Sequence, residues 1–99
     1  LEKYNHDALM GFYLLRKATM RDQPEGVLSK KVKELIVTAV ECALRHGGAG
    51  HARYAVEHGA TPEEVHDAVA IGIWLAGMPS YHYGLKAVQA AEERYKELH

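Results

Sequence analysis

The sequence is poor in cysteine, proline, phenylalanine and tryptophan, with one Cys, three Pro, one Phe and one Trp in 99 residues. The single thiol, Cys42, excludes an intrachain disulfide, a CxxC redox pair and a multi-thiolate zinc site within one chain. Charge of one sign is not in excess either, with 12 Lys and Arg against 13 Asp and Glu. This balance leaves no electrostatic basis for binding nucleic acid or an anionic membrane.

Long apolar runs are also missing. The longest one, residues 68–78, covers 11 residues, whereas a membrane-spanning helix needs roughly 20. The N-terminus does not show the charged-then-apolar layout of a signal peptide. With 47% hydrophobic and 25% charged residues, the composition is that of an ordinary globular protein. We therefore expect one cytoplasmic domain over residues 1–99, without nucleic-acid or membrane partners.

Strand signals are nearly absent, because no alternation of apolar and polar residues persists. Helical spacing dominates and predicts a compact all-α domain of about five helices. Capping residues mark the starts: Asn5 or Asp7, then Ser29, and finally Thr61, which is followed by Pro62 and by a glutamate that closes a capping box. The predicted helices cover about residues 7–20, 30–44, 51–59, 62–76 and 79–98.

Apolar spacing predicts a face for each of the last four helices. The second helix has an apolar stripe at residues 32, 35, 36, 39, 40, 43 and 44, and a separate polar stripe at Glu34, Thr38, Glu41 and Arg45. The third is expected to bury Ala52, Ala55 and Val56. The fourth carries Val65, Ala68, Val69, Gly72 and Ala76, and the fifth carries Tyr81, Leu85, Val88, Ala91, Tyr95 and Leu98.

The fourth helix is apolar on its remaining sides as well, through residues such as Ile71, Trp74 and Leu75. A helix that is hydrophobic all round is normally buried, and so short a chain has little with which to surround one. We therefore expect a homo-oligomer in which a subunit contact covers this helix. Small residues spaced four apart, among them Gly72, should let another backbone approach it closely.

Seven histidines are many for this length, and two of them flank a glycine-rich loop. Gly47, Gly48 and Gly50 lie between His46 and His51 and permit positive φ and close approach of the backbone to a ligand. The loop enters a helix without a Ser, Thr, Asp or Asn cap, so its N–H groups could hold an anion. A tight turn that uses glycine for steric reasons alone explains the same pattern.

Other candidate groups also have two interpretations. Cys42 and His46 lie one helical turn apart, so the imidazole could lower the pKa of the thiol; a lone cysteine on an apolar helix is also a common core residue. His82, between two tyrosines, either packs or lines a cleft. A metal site would draw on His46, His51 and Glu34 or His82, but no dense motif such as HExxH supports it, and we predict no metal.

Three segments carry a family resemblance: LSKKVKELIVTAV from Leu28, HARYAVEHGATPEEVHDAV from His51 and AGMPSYHYG from Ala76. Together they resemble the carboxymuconolactone decarboxylase and alkylhydroperoxidase D-like superfamily over about residues 28–88. The resemblance implies an all-α fold whose subunits associate through their central helices, commonly as trimers or hexamers.

The alkylhydroperoxidase D branch uses a Glu and a His as a proton relay to the thiols of a CxxC motif, which reduce peroxide. Glu34 and His51 match that Glu and that His, although the intervening loop is about two residues shorter here. Neither thiol position holds cysteine, whether it is counted from Glu34 or from His51. A peroxiredoxin-like activity would therefore have to use Cys42 alone.

The decarboxylase branch keeps a His at the position of His51 and removes carbon dioxide from a γ-carboxylactone without a cofactor. The resemblance thus implies a lyase that acts on a small carboxylated substrate, with His51 as general acid or base and Glu34 as its orienting partner. The alternative is a non-catalytic ligand- or metal-binding module on the same scaffold. Substrate contacts are expected from His46, Gly48, Gly50 and His82.

The position of this site can also be predicted. Glu34 reaches His51 only if the third helix folds back along the second, which the short glycine loop allows. We expect a cleft centred on His51, with Glu34 on its wall and His46 at its loop edge. A neighbouring subunit or the segment 81–83 should close it.

Overall fold

A computed structural model describes residues 5–99, and these residues form five α-helices and no strand. The predicted all-α class is confirmed. The chain divides into two compact units, one up to Lys30 and one from Lys31 onward; the single domain predicted over residues 1–99 stays a prediction. The helices are α1 (His6–Thr19), α2 (Lys30–Ala43), α3 (Ala49–Glu57), α4 (Pro62–Ala76) and α5 (Tyr81–Leu98).

The first unit contains α1. Asn5 caps it, because its side-chain oxygen accepts a hydrogen bond of 3.0 Å from the N–H of Ala8. No residue of α1 is buried, and the large apolar side chains of Phe12 and Leu15 are exposed.

Across the described part of the chain, no helix is both long enough and apolar enough to cross a membrane.

Part of the polar stripe predicted for α2 faces the interior of the second unit, whereas Arg45 of that stripe is exposed. The buried residues are Glu34, Thr38 and Cys42, spaced four apart. These polar groups are tolerated inside because they are satisfied: the Thr38 hydroxyl donates to the carbonyl of Glu34 at 2.7 Å. An amphipathic pattern would place the apolar stripe inside, and for α2 in a single chain that expectation is wrong. Three large apolar side chains of that stripe are about half exposed: Ile36, Val40 and Leu44.

The predicted buried face of α3 is confirmed. On α4 the prediction is confirmed for Val65, Val69 and Gly72, whereas Ala68 is only half-buried and Ala76 is exposed. On α5 the prediction is confirmed for Ala91, and Val88 and Tyr95 pack half-buried against the core, whereas the three other predicted residues are exposed: Tyr81, Leu85 and Leu98. The buried residues of α5 are Gly84, Ala87, Ala90 and Ala91.

Two glycines explain why small residues face inward. A Cβ atom added at Gly72 would lie 2.6 Å from the carbonyl oxygen of Ala39, so the backbones of α4 and α2 are in direct contact. This confirms the predicted close approach at Gly72. A Cβ atom at Gly84 would lie 2.5 Å from Cγ1 of Val69, which packs α5 equally closely on α4.

The start of α4 agrees with its sequence signal. The hydroxyl of Thr61 accepts from the N–H of Glu64 at 3.1 Å, and the Glu64 carboxylate accepts from the N–H of Thr61 at 2.9 Å. Pro62 occupies the first helical position. The predicted capping box is confirmed. Glu64 also pairs with Lys31 of α2 at 2.9 Å, and this hydrogen bond is the main reason that its pKa is lowered.

The fifth helix begins two residues later than predicted, at Tyr81 rather than Pro79. A short 3-10 turn, Met78–Ser80, precedes it. Ser80 is buried, and its hydroxyl donates to the carbonyl of Ala43 at 3.2 Å. The turn thereby ties the junction of α4 and α5 to the C-terminal end of α2.

Candidate active site

The loop after α2 reverses the chain through three residues with positive φ, of which the last two are consecutive. Arg45 adopts φ 59°, and the N–H of His46 donates to the carbonyl of Glu41 at 2.8 Å, as in a Schellman motif. Gly47 and Gly48 follow with φ 122° and 117°. This reversal sends α3 back along α2, as the short loop predicted.

The beginning of α3 differs from the predicted loop of residues 46–51. The helix starts at Ala49, so Gly50 and His51 belong to its first turn. Gly48 is the N-cap and offers no side-chain hydrogen bond to that turn. Gly48 is also required sterically, because a Cβ atom there would lie 2.8 Å from Sγ of Cys42. At Gly50 nothing lies within 4 Å of such an atom.

Glu34 and His51 are brought together by this arrangement. Their side chains, 17 residues apart in sequence, meet at 2.6 Å between Glu34 Oε2 and His51 Nδ1. The Glu34 side chain is 3% exposed and the imidazole 21%. Because an ionised carboxylate only accepts, Nδ1 carries the proton in this pair. Among residues 5–99, no group hydrogen-bonds the second ring nitrogen, Nε2.

Tyr54 packs against the same imidazole. The two rings meet edge to face, with centroids 5.4 Å apart and an interplanar angle of 80°. Tyr54 is not among the site residues predicted from the sequence. Its position three residues after His51 on α3 was the available signal, since residues at i and i+3 are neighbours on a helix.

His46 and His82 are not part of this arrangement. Both are exposed, and the ring of His82 contacts Tyr83 with centroids 5.7 Å apart. Within residues 5–99, neither forms a hydrogen bond or ring contact with His51. Four of the cavities along the described chain have volumes of about 150–300 Å³, and His51 lines none of these four. The expected cleft around His51 is therefore not among these cavities of the single chain.

Cys42 lies behind the glycine loop. It is fully buried, and its thiol contacts the carbonyl of Gly47 at 3.5 Å. Burial, with a smaller contribution from the charge of Glu41, raises its pKa to about 11. The interpretation of Cys42 as a core residue agrees with this environment, and a thiol activated by His46 does not.

Groups that could ligate a metal are not clustered in the described range. Across residues 5–99, no three His, Cys, Asp or Glu side chains are arranged to hold a metal ion.

Comparison with known proteins places the chain in a family. The model of the carboxymuconolactone decarboxylase family matches residues 7–90. The chain belongs to this family. The resemblance inferred from the sequence is thereby confirmed. No curated protein matches the sequence significantly.

Two solved structures are similar over most of this family member. A carboxymuconolactone decarboxylase family protein from Legionella pneumophila, in its apo form, is 32% identical with a TM-score of 0.80, covering 95% of this chain and 83% of the other. A protein from Burkholderia xenovorans LB400, assigned as a carboxymuconolactone decarboxylase, is 27% identical with a TM-score of 0.88, covering 97% and 75%.

Proposed function

We propose that this member of the carboxymuconolactone decarboxylase family is a cofactor-independent lyase for a small carboxylated substrate. His51 transfers the proton, and Glu34 orients it. The observation that carries this proposal is the 2.6 Å contact between a nearly fully buried carboxylate and an imidazole whose Nε2 has no partner in residues 5–99. Carboxylates are seldom buried without a strong partner, and this one holds the ring in one tautomer.

The chemistry uses the two protonation states of His51. In a decarboxylation, the bond between the substrate carbon and its carboxylate breaks, carbon dioxide leaves, and the electron pair remains on the carbon skeleton. The imidazolium form of His51 gives its Nε2 proton to that skeleton and regains a proton from water. Glu34 stabilises the imidazolium that the step requires. No electrons leave the substrate, so no redox partner is needed.

The first turn of α3 supplies a place for the substrate's carboxylate. Its N-cap, Gly48, makes no side-chain cap, and Gly50 is exposed with open space around it. Helix N-termini stabilise anions by about 0.3–1 kcal/mol through these N–H groups. Because His51 lies in the same turn, an anion bound there would be close to the imidazole. Substrate contacts from His46 and His82 remain part of the proposal, supplied by movement or by a second subunit.

Turnover of a γ-carboxylactone tests this proposal. We expect the natural chain to release carbon dioxide from it, and His51→Ala to lower kcat by about 10²–10⁴-fold, as removal of a general acid does. His58→Ala is the matched control, because His58 is an exposed residue directly after the same helix. Unchanged turnover in His51→Ala, with circular dichroism showing the natural helix content, would contradict the assignment.

A non-catalytic binding module is the second candidate, because the uncapped first turn of α3 and the exposed Gly50 can accept an anion whether or not a reaction follows. It would bind a carboxylate at the first turn of α3 without turnover. A peroxiredoxin-like activity is less well supported, because the only thiol, Cys42, is buried and its pKa is raised.

We also propose that the chain is a homo-oligomer, such as a trimer or hexamer. Two apolar surfaces support this. The C-terminal half of α4 leaves Trp74 79% and Leu75 72% exposed. A cavity of about 300 Å³ between α2 and α4 is lined only by apolar residues, among them Ile36, Val40 and Ile71. Exposed apolar areas of this kind mark protein interfaces.

A further inference from the structure

A groove between α4 and α5 is not used by the proposed reaction. It consists of two adjoining cavities of about 150 and 250 Å³, which share His66 and Val88. Every residue that lines them belongs to α4 or α5, so neither Glu34 nor His51 takes part. We call this pair of cavities the α4–α5 groove.

One end of the α4–α5 groove is apolar. The smaller cavity is lined by Ala70 and Ile73 of α4 and by Leu85 of α5. Its floor is Gly84, where any Cβ atom would collide with Val69 and Ile73. The lack of a side chain at Gly84 lets the two helices pack closely beneath the cavity. Ala70, a small and exposed residue, lines the same cavity. This end suits the apolar body of a small molecule.

The other end is acidic. The larger cavity is lined by Glu63 of α4 and Glu92 of α5. Neither carboxylate forms an ion pair within residues 5–99. Other glutamates of the same unit do have cationic partners: Glu64 pairs with Lys31, and Glu57 with Arg94. Two carboxylates at one cavity without a cation attract a positive charge from outside the chain.

We propose that the α4–α5 groove binds a small organic cation with an apolar body, such as a primary alkylammonium ion. Its charged head lies between Glu63 and Glu92, and its body extends past His66 onto Ala70 and Leu85. Seven residues of helix separate Glu63 from Ala70, a rise of about 10 Å, which sets the distance between head and body. Charge complementarity selects the cation, and the apolar end adds affinity for an apolar body that a hydrated ion such as free ammonium lacks.

Titration with three probes of equal chain length tests the proposal: n-octylammonium, n-octanol and octanoate, each below its micellar concentration. We expect n-octylammonium to bind most tightly and octanoate most weakly in calorimetry. Amide chemical shifts should change at His66, Val88 and their neighbours. Equal affinity for all three probes would show apolar adhesion only and would overturn the proposal, as would the absence of binding.

Variants locate the two ends. The double variant Glu63→Gln, Glu92→Gln should weaken n-octylammonium roughly tenfold, since each exposed ion pair contributes up to about 1 kcal/mol, and should leave n-octanol unchanged. Glu93→Gln is the control, because Glu93 is an exposed neighbour that lines neither cavity. Ala70→Leu should weaken the binding of both probes by filling the apolar end.

Unchanged n-octylammonium affinity in the double variant would overturn the proposal. Concentration-dependent shifts at the groove without any probe would make a second copy its occupant and would also overturn it.

Discussion

The carboxylate of Glu34 and the imidazole of His51 form one buried unit, joined at 2.6 Å across two helices. Glu34 contributes twice to the interior of the second unit, because its backbone carbonyl accepts from the hydroxyl of Thr38 at 2.7 Å while its side chain holds His51. A buried carboxylate is costly without such a partner. The pair therefore affects both the stability of the fold and the proposed reaction.

Stability measurements on single and double variants test this pairing. His51→Ala leaves the Glu34 carboxylate buried without its imidazole, and we expect the free energy of unfolding to fall by about 1–3 kcal/mol. Adding Glu34→Gln removes the buried charge and should recover part of that loss. Urea unfolding measures the free energy of unfolding of the natural chain, of His51→Ala, of Glu34→Gln and of the double variant. A double variant that is less stable than His51→Ala would show that the carboxylate does not depend on the imidazole.

Two glycines at the start of α3, the N-cap Gly48 and the helical Gly50, should respond to alanine in opposite directions. Gly48→Ala places a Cβ atom 2.8 Å from Cys42 Sγ at φ 117°, and we expect a loss of at least about 1 kcal/mol. Gly50→Ala meets open space inside α3 and should gain about 0.5–1 kcal/mol. Thermal unfolding of both variants decides this, and equal shifts in Tm would refute the loop geometry.

Cys42 should react slowly with thiol reagents. Burial raises its pKa to about 11 from an ordinary value of 9.0, so at neutral pH its thiolate fraction is on the order of a hundredfold lower than that of a free cysteine. We expect iodoacetamide to modify the folded chain at least that much more slowly than the chain in guanidinium chloride. Rapid alkylation of the folded chain, followed by loss of peroxide reduction, would instead support a thiol enzyme.

The ion pair between Glu64 and Lys31 should make stability depend on pH in acid. The hydrogen bond from Lys31, followed by the one from the Thr61 backbone, lowers the pKa of Glu64. Its folded-state pKa is therefore below the unfolded one, so the contribution is present above the ordinary value of 4.5 and is lost as pH falls through the folded value. Glu64→Gln keeps the capping box but removes this charge. The difference in unfolding free energy between the two chains should shrink on acidification; a constant difference would contradict the assignment.

Self-association can be checked by sedimentation. We expect the natural chain to sediment as a species several times its 11.0 kDa mass at micromolar concentration. Replacing the exposed pair Trp74 and Leu75 by serine should reduce that mass without loss of helix content, because neither side chain is in the core of a single chain. Phe12→Ser in α1 is a comparison at another exposed apolar position. A monomeric natural chain would refute the assembly.

Local sequence signals determined the helices of this protein. The capping box at Thr61, the cap at Asn5 and the glycine loop before α3 act within a few residues, so their effect does not depend on the rest of the fold. The pairing of Glu34 with His51 could also be predicted from the sequence. The family resemblance identified both residues, and the short loop directs α3 back along α2.

The inward faces and the shape of the site were decided only by the tertiary structure. Periodicity shows that α2 has an apolar and a polar stripe, but it does not show which one the chain buries. Glu34 and Thr38 can face inward because the Thr38 hydroxyl donates to the carbonyl of Glu34 within α2 and the Glu34 carboxylate accepts from His51 of α3. On α5, alanines and a glycine face the core because the helices pack too closely for larger side chains there; a Cβ atom at Gly84 would already lie 2.5 Å from Val69. Such choices depend on what lies opposite each face, and that is a property of the folded chain rather than of any one segment.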